Sequence, residues 1–187
     1  MDPLLSHVLT GAVALVLGRA CLHKARNRSH FANSLAAYEI LPGEAHAAAS
    51  LGLIVFEATV AVLLISQLFV PELRGFGGVG AVTLLTLYSI AISINLSRGR
   101  RDLDCGCDGP GKSRPISPTL LARNALLIAM AGLSALPLSP RPMLAIDVFS
   151  IVFALAAFSL LYETMNQLGQ TARSPFSSDA SQARSVS

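Results

Sequence analysis

Apolar residues along this chain fall in long blocks, not in the one-sided stripes of a water-facing helix or the alternation of a half-buried strand. A helix needs roughly 20 mostly apolar residues to cross the hydrocarbon core of a bilayer. Five stretches approach that length, at about residues 4–22, 47–70, 76–96, 118–138 and 143–162. The first stays apolar until Arg19, and the second is interrupted by Glu57. The third carries no charge, the fourth has Arg123 near its start, and the fifth has Asp147 near its start. The pattern predicts an all-α polytopic membrane protein, a bundle of about five transmembrane helices, or four if the last does not span. A transmembrane domain is expected over residues 1–165, with a disordered C-terminal tail over 166–187, where Ser, Ala and Gln dominate.

Composition sharpens this reading. Hydrophobic residues make up 52% of the 187-residue chain and charged residues only 13%. Soluble domains carry about a quarter charged residues, so the deficit excludes an ordinary soluble domain. The formal charge of +3 is small, and no nucleic-acid partner is expected. The position of the charges says more than their sum. Lys24, Arg26 and Arg28 follow the first apolar stretch, and Arg98, Arg100, Arg101, Lys112 and Arg114 follow the third. The short links Pro71-Glu-Leu-Arg-Gly75 and Ser139-Pro-Arg-Pro142 hold only Arg74 and Arg141. The positive-inside rule therefore places the two long loops and the tail in the cytoplasm, and the N-terminus outside. No basic residue precedes the first stretch, the reverse of a cleavable signal, so a retained helix is expected.

The first long loop contains Phe31, Leu35, Tyr38 and Leu41 at three-to-four spacing, ended by Pro42-Gly43. That spacing predicts a short amphipathic helix, lying on the membrane surface or docked on the bundle. The closely spaced glycines of Gly75-Phe-Gly-Gly-Val-Gly80 have no preceding strand, so close helix packing is expected rather than a phosphate loop.

Two positions bear on chemistry. The second long loop carries Asp104-Cys105-Gly106-Cys107-Asp108-Gly109. Thiols separated by one glycine close a disulfide only in a small strained ring, and a strained disulfide hands on its oxidising equivalents readily. Thiol–disulfide exchange at Cys105 and Cys107 is one reading, and a pair of small residues in a Gly-rich turn is the other. Cys21 ends the first helix on the same side, either as a resolving thiol or as packing. A zinc set of Cys21, Cys105, Cys107 with His23 or His30 is a rival use of the thiols, although its spacing matches no ordinary zinc finger. Glu57 is the second position. A carboxylate about ten residues into a membrane helix is expected to face the bundle and to be paired or protonated. Arg123 enters from the same side and is the expected partner. The pair serves as a proton relay beside a membrane quinone or as a polar clamp between helices. Paired-carboxylate and Ser-His-Asp patterns are not evident.

Gly18-Arg19, Lys24, Phe31, Tyr38, Leu41-Pro42 and Glu57, followed by Asp104-Cys-Gly-Cys107 and Leu121-Ala-Arg-Asn124, resemble the methylamine utilisation protein MauE family in order and spacing. The similarity spans roughly residues 10–165, and the family is related to DoxX-like membrane proteins. The resemblance implies a multi-pass protein of the bacterial cytoplasmic membrane. It further implies assistance to the maturation of the disulfide-rich periplasmic beta subunit of methylamine dehydrogenase, together with a thioredoxin-like partner of the MauD type. Carried onto this chain, Cys105 and Cys107 are the redox pair, with Glu57, Arg123 and Asn124 as supporting positions within the membrane. The charge bias sets the thiol loop opposite a periplasmic client. Access through the bundle, relay of electrons from a cytoplasmic donor, or a reversed loop are the three ways to reconcile the two. A non-redox assembly or transport factor that holds the client or its thioredoxin-like partner is the alternative.

Overall fold

The computed structural model describes residues 2–40, 42–73, 75–100, 103, 116–136 and 141–171. Regular structure among them is helical throughout: α1 (Pro3–Arg26), α2 (Arg28–Ala37), α3 (His46–Ser66), α4 (Phe76–Ser97), α5 (Pro118–Ser134) and α6 (Ala145–Thr171). Short 3-10 turns at Gly43–Ala45 and Pro71–Leu73 lead into α3 and towards α4.

The start of α1 is set by Asp2, whose carboxylate accepts the Leu4 amide at 2.8 Å, and by Pro3 in the first turn. An acceptor at the cap satisfies one of the amides that a helix start leaves bare, and proline there gives up no helical bond. Asn27 breaks the helix, and α2 begins at the next residue. It folds back and packs mainly on α3, burying Phe31 and Tyr38. Of the two placements expected for this amphipathic segment, the structure takes docking on the bundle. Glu39 then turns the chain at a φ of 50°, in the left-handed region uncommon for residues other than glycine. Its carboxylate meets Arg100 at 2.8 Å, tying the end of α2 to the end of α4.

Close contact between helices is made by the glycines, as their spacing predicted. A Cβ on Gly77 would lie 2.8 Å from the Leu64 amide nitrogen, and one on Gly80 would lie 2.8 Å from Cγ2 of Val60. Gly78 faces the Ala131 carbonyl of α5 with equally little room, 3.0 Å. These approaches bring α4 against α3 on one side and α5 on the other. Around them Val13, Leu17, Val60, Leu64, Ala81, Leu84, Leu85, Leu127 and Ala131 form one buried core drawn from α1, α3, α4 and α5. α6 stays outside it, resting on α1 through Leu155 at Gly11 and presenting Phe149, Phe153, Leu160 and Leu161 outward.

The long helices α1, α3, α4, α5 and α6 run in alternating directions. At one end Asp2 and Arg141 approach to 3.8 Å, Arg141 and Asp147 to 2.7 Å, and Gln67 Nε2 donates to Thr10 Oγ1 at 3.3 Å. α2, Glu39 and Arg100 lie at the other end, so the N-terminus and the short links share a face opposite the long loops. Among the described residues, four helices are long and apolar enough to cross a bilayer, α6 being one with a mean hydropathy of 2.1 over Ala145–Met165. The shorter one is α5, whose 17 residues span about 25 Å against a hydrocarbon core of about 30 Å. The weakest span expected from sequence was the fifth stretch, and the structure moves that distinction to the fourth. The reason is Asp147, which weakens the fifth stretch only on paper: it accepts the Leu144 amide at 2.9 Å and meets Arg141, so its charge is held at the helix mouth. α6 also continues six residues past position 165, to Thr171.

A buried ion pair beside an apolar cavity as the candidate functional site

Side chains in a helix tilt towards its N-terminus, so a residue near the end of α1 can reach back into the bundle. Lys24 does so. Its Nζ lies 3.1 and 2.9 Å from the two carboxylate oxygens of Glu57 on α3, and 2.9 Å from the Tyr88 hydroxyl on α4. An ammonium has three donors, and these three oxygens match them. The Phe31 ring centroid stands 5.0 Å from the same nitrogen and that of Tyr88 stands 4.4 Å away, both within cation–π range. Lys24 and Glu57 are 2% and 0% exposed, so neither charge is relieved by water.

The pair forms part of the wall of a cavity of about 240 Å³. Most of the remaining lining is apolar, including Val16, Leu17, Leu53, Leu85, Ile92 and Leu127. Arg123, Asn124 and Tyr162 supply a second polar group on the same cavity. Arg123 donates to the Tyr162 hydroxyl at 3.3 Å and to Asn124 Oδ1 at 3.5 Å, and Asn124 donates to Ser89 Oγ at 3.3 Å. Sequence reasoning placed Glu57 in the bundle and looked to Arg123 for its counterion. The structure brings both to one cavity, and the ion pair it draws for Glu57 is with Lys24. Lys24 was missed as a partner because it stands in a run of basic residues that reads as loop charge. The signal that marks it is its position two residues before the end of α1, within reach of the bundle.

Cys21 sits on the seam between α1 and α3, where its thiol donates to the Ile54 carbonyl at 3.7 Å. Cys105 and Cys107 lie outside the described residues. The chain on either side of them is placed, however. The Ile116 amide donates to the Leu103 carbonyl at 3.0 Å, and both residues pack with Tyr38, Ile92 and Leu120. Tyr38 and Ile92 also line the cavity, so the base of the thiol-bearing loop rests on the cavity's outer wall. Among the described residues, no three His, Cys, Asp or Glu side chains gather as a metal site would require.

A bundle of apolar helices with a saturated ion pair sealed inside it defines a multi-pass membrane protein. A sequence model of methylamine utilisation protein MauE matches residues 2–137. The methylamine utilization protein MauE of Paracoccus versutus is 33% identical over 169 residues, covering 90% of this chain and 89% of that protein. Those of Paracoccus denitrificans and Methylophilus methylotrophus are 36% and 34% identical, covering 70% and 86% of this chain and 68% and 84% of their own lengths. The chain belongs to the MauE family of methylamine utilisation proteins. No solved structure matches it.

Proposed function

We propose that this protein acts in the bacterial cytoplasmic membrane to mature the disulfide-rich beta subunit of methylamine dehydrogenase, by thiol–disulfide exchange at Cys105 and Cys107. The Cys105–Cys107 disulfide takes two electrons from a pair of client thiols, directly or through a thioredoxin-like partner of the MauD type. The client gains a disulfide, and this chain is left as the dithiol. The observation that carries the reading is the closure of the loop base, Leu103 to Ile116, against the cavity wall. The loop base at Leu103 and Ile116, packed on the bundle, supports access through the bundle as the route that reconciles a cytoplasmic loop with a periplasmic client. Cys21, on the α1–α3 seam, is the resolving thiol in this scheme.

Replacing Cys105 or Cys107 by Ser is expected to abolish maturation of the dehydrogenase while leaving membrane insertion intact. Alkylation of thiols with and without reductant is expected to reveal a Cys105–Cys107 disulfide in the wild-type protein. Normal maturation in both variants rejects the exchange. A second reading, a non-redox assembly factor that holds the client or its partner, draws support from the saturated Lys24 ammonium, which is bonded as a structural clamp would be. That reading predicts full activity in the two serine variants and loss of activity when Lys24 or Glu57 is replaced.

A further inference from the structure

We propose that the cavity beside Lys24 and Glu57 binds the ring of a membrane-borne quinone. The inference deepens the exchange reading and rests on it for its purpose, since a dithiol returns to the disulfide only by giving two electrons and two protons to an acceptor. A quinone takes both pairs and leaves as quinol, so the step balances.

The geometry selects this class in three ways. Leu87 and Ile40 line the cavity yet are 48% and 42% exposed, so part of its rim is apolar and faces outward, while Arg19, paired with Glu163, is the charged residue on the rim. A ligand carried on an apolar chain can enter on the Leu87 side. The volume of about 240 Å³ falls below the roughly 300–1,000 Å³ typical of pockets for whole drug-sized ligands. That size suits a single ring with a long tail left outside. The inner wall includes the aromatic side chains of Phe31, Tyr38 and Tyr88, with donor groups at Arg123 and Asn124. Aromatic side chains and donors suit a planar ring bearing carbonyl acceptors. Leu103 and Ile116, which close the thiol loop, rest on the wall of this same cavity.

The natural chain contains no tryptophan, so a single indole placed at the rim reports on the site alone. Leu87→Trp in purified full-length protein, reconstituted in quinone-free nanodiscs, is expected to show saturable fluorescence quenching by decylubiquinone. Val62→Trp, on the outward face of α3 and 61% exposed, is expected to show only the unsaturable quenching of quinone dissolved in lipid. Adding Ala91→Phe to Leu87→Trp fills the cavity and is expected to weaken the saturable phase by at least about tenfold. Identical quenching at the two indoles overturns the proposal, as does a saturable phase indifferent to Ala91→Phe. Displacement of the quinone by equimolar dodecanoate also overturns it, in favour of a site for acidic amphiphiles. Repeating the titration with Cys105→Ser separates the two claims. Binding that survives while serine variants still mature the client refutes the exchange and leaves the site standing.

Discussion

A lysine near the end of a membrane helix ordinarily turns its ammonium outward to the headgroups. Lys24 turns inward, and what makes this tolerable is complete satisfaction of its donors by Glu57 and Tyr88. Breaking such a pair by removing one partner strands the other charge in a low-dielectric interior, at a cost of about 3–5 kcal/mol. Glu57→Gln and Lys24→Met are each expected to lower the thermal unfolding midpoint in a fixed detergent. The double variant Lys24→Met with Glu57→Leu is expected to recover most of the loss. Additive losses in the double variant would mean the two groups do not act as a pair. Lys24→Arg is not a rescue, because a planar fork cannot present three donors to oxygens arranged around a point. At this scale the sequence was half legible. Glu57 announced itself, since an acid deep in an apolar run has to be paired. Its counterion stayed hidden because a lysine two residues before the end of α1, followed by Arg26 and Arg28, reads equally as loop charge.

Contacts between elements depend on glycines whose missing side chains are the point of contact. Gly77→Ala would place a methyl 2.8 Å from the Leu64 backbone nitrogen, and backbone cannot step aside. The expected loss is about 1–3 kcal/mol, the range for an overpacked core. Gly132→Ala meets nothing within 4 Å and is expected to be neutral or slightly stabilising. Equal unfolding midpoints for the two variants would refute the close seam between α3 and α4. The spans themselves were readable from apolar runs alone, because a bilayer demands long oily helices whatever their neighbours. Their relative security was not. Asp147 looked like a flaw in the last span until its bonds to Leu144 and Arg141 showed it to be a cap. In the same way, the amphipathic repeat of α2 defined a sticky face without saying whether lipid or α3 would cover it.

For the molecule as a whole, the alternation of helix directions gives two chemically different ends. The links around Glu72 and Arg141 share one face with the N-terminus, and α2 shares the other with the loop that closes at Leu103 and Ile116. In a background of Cys21→Ala, Cys105→Ser and Cys107→Ser, a membrane-impermeant maleimide is expected to label Glu72→Cys on intact cells. Ser29→Cys is expected to react only after permeabilisation, as the positive-inside rule predicts for the basic loops. The opposite labelling would invert the protein and move the thiols to the periplasmic face. That same loop face carries most of the resemblance seen in the sequence, since Lys24, Phe31, Tyr38, Glu57 and Asn124 all converge on the one cavity. Order and spacing along the chain pointed to the family, and only folding reveals that these residues are neighbours. The inward lysine also constrains how the protein is made. Lys24 and Glu57 lie 33 positions apart, on the first and second long helices. Either charge alone resists entry into lipid by a few kcal/mol. Inserted together as a hairpin, α1 and α3 would carry the two charges into lipid already neutralised by one another.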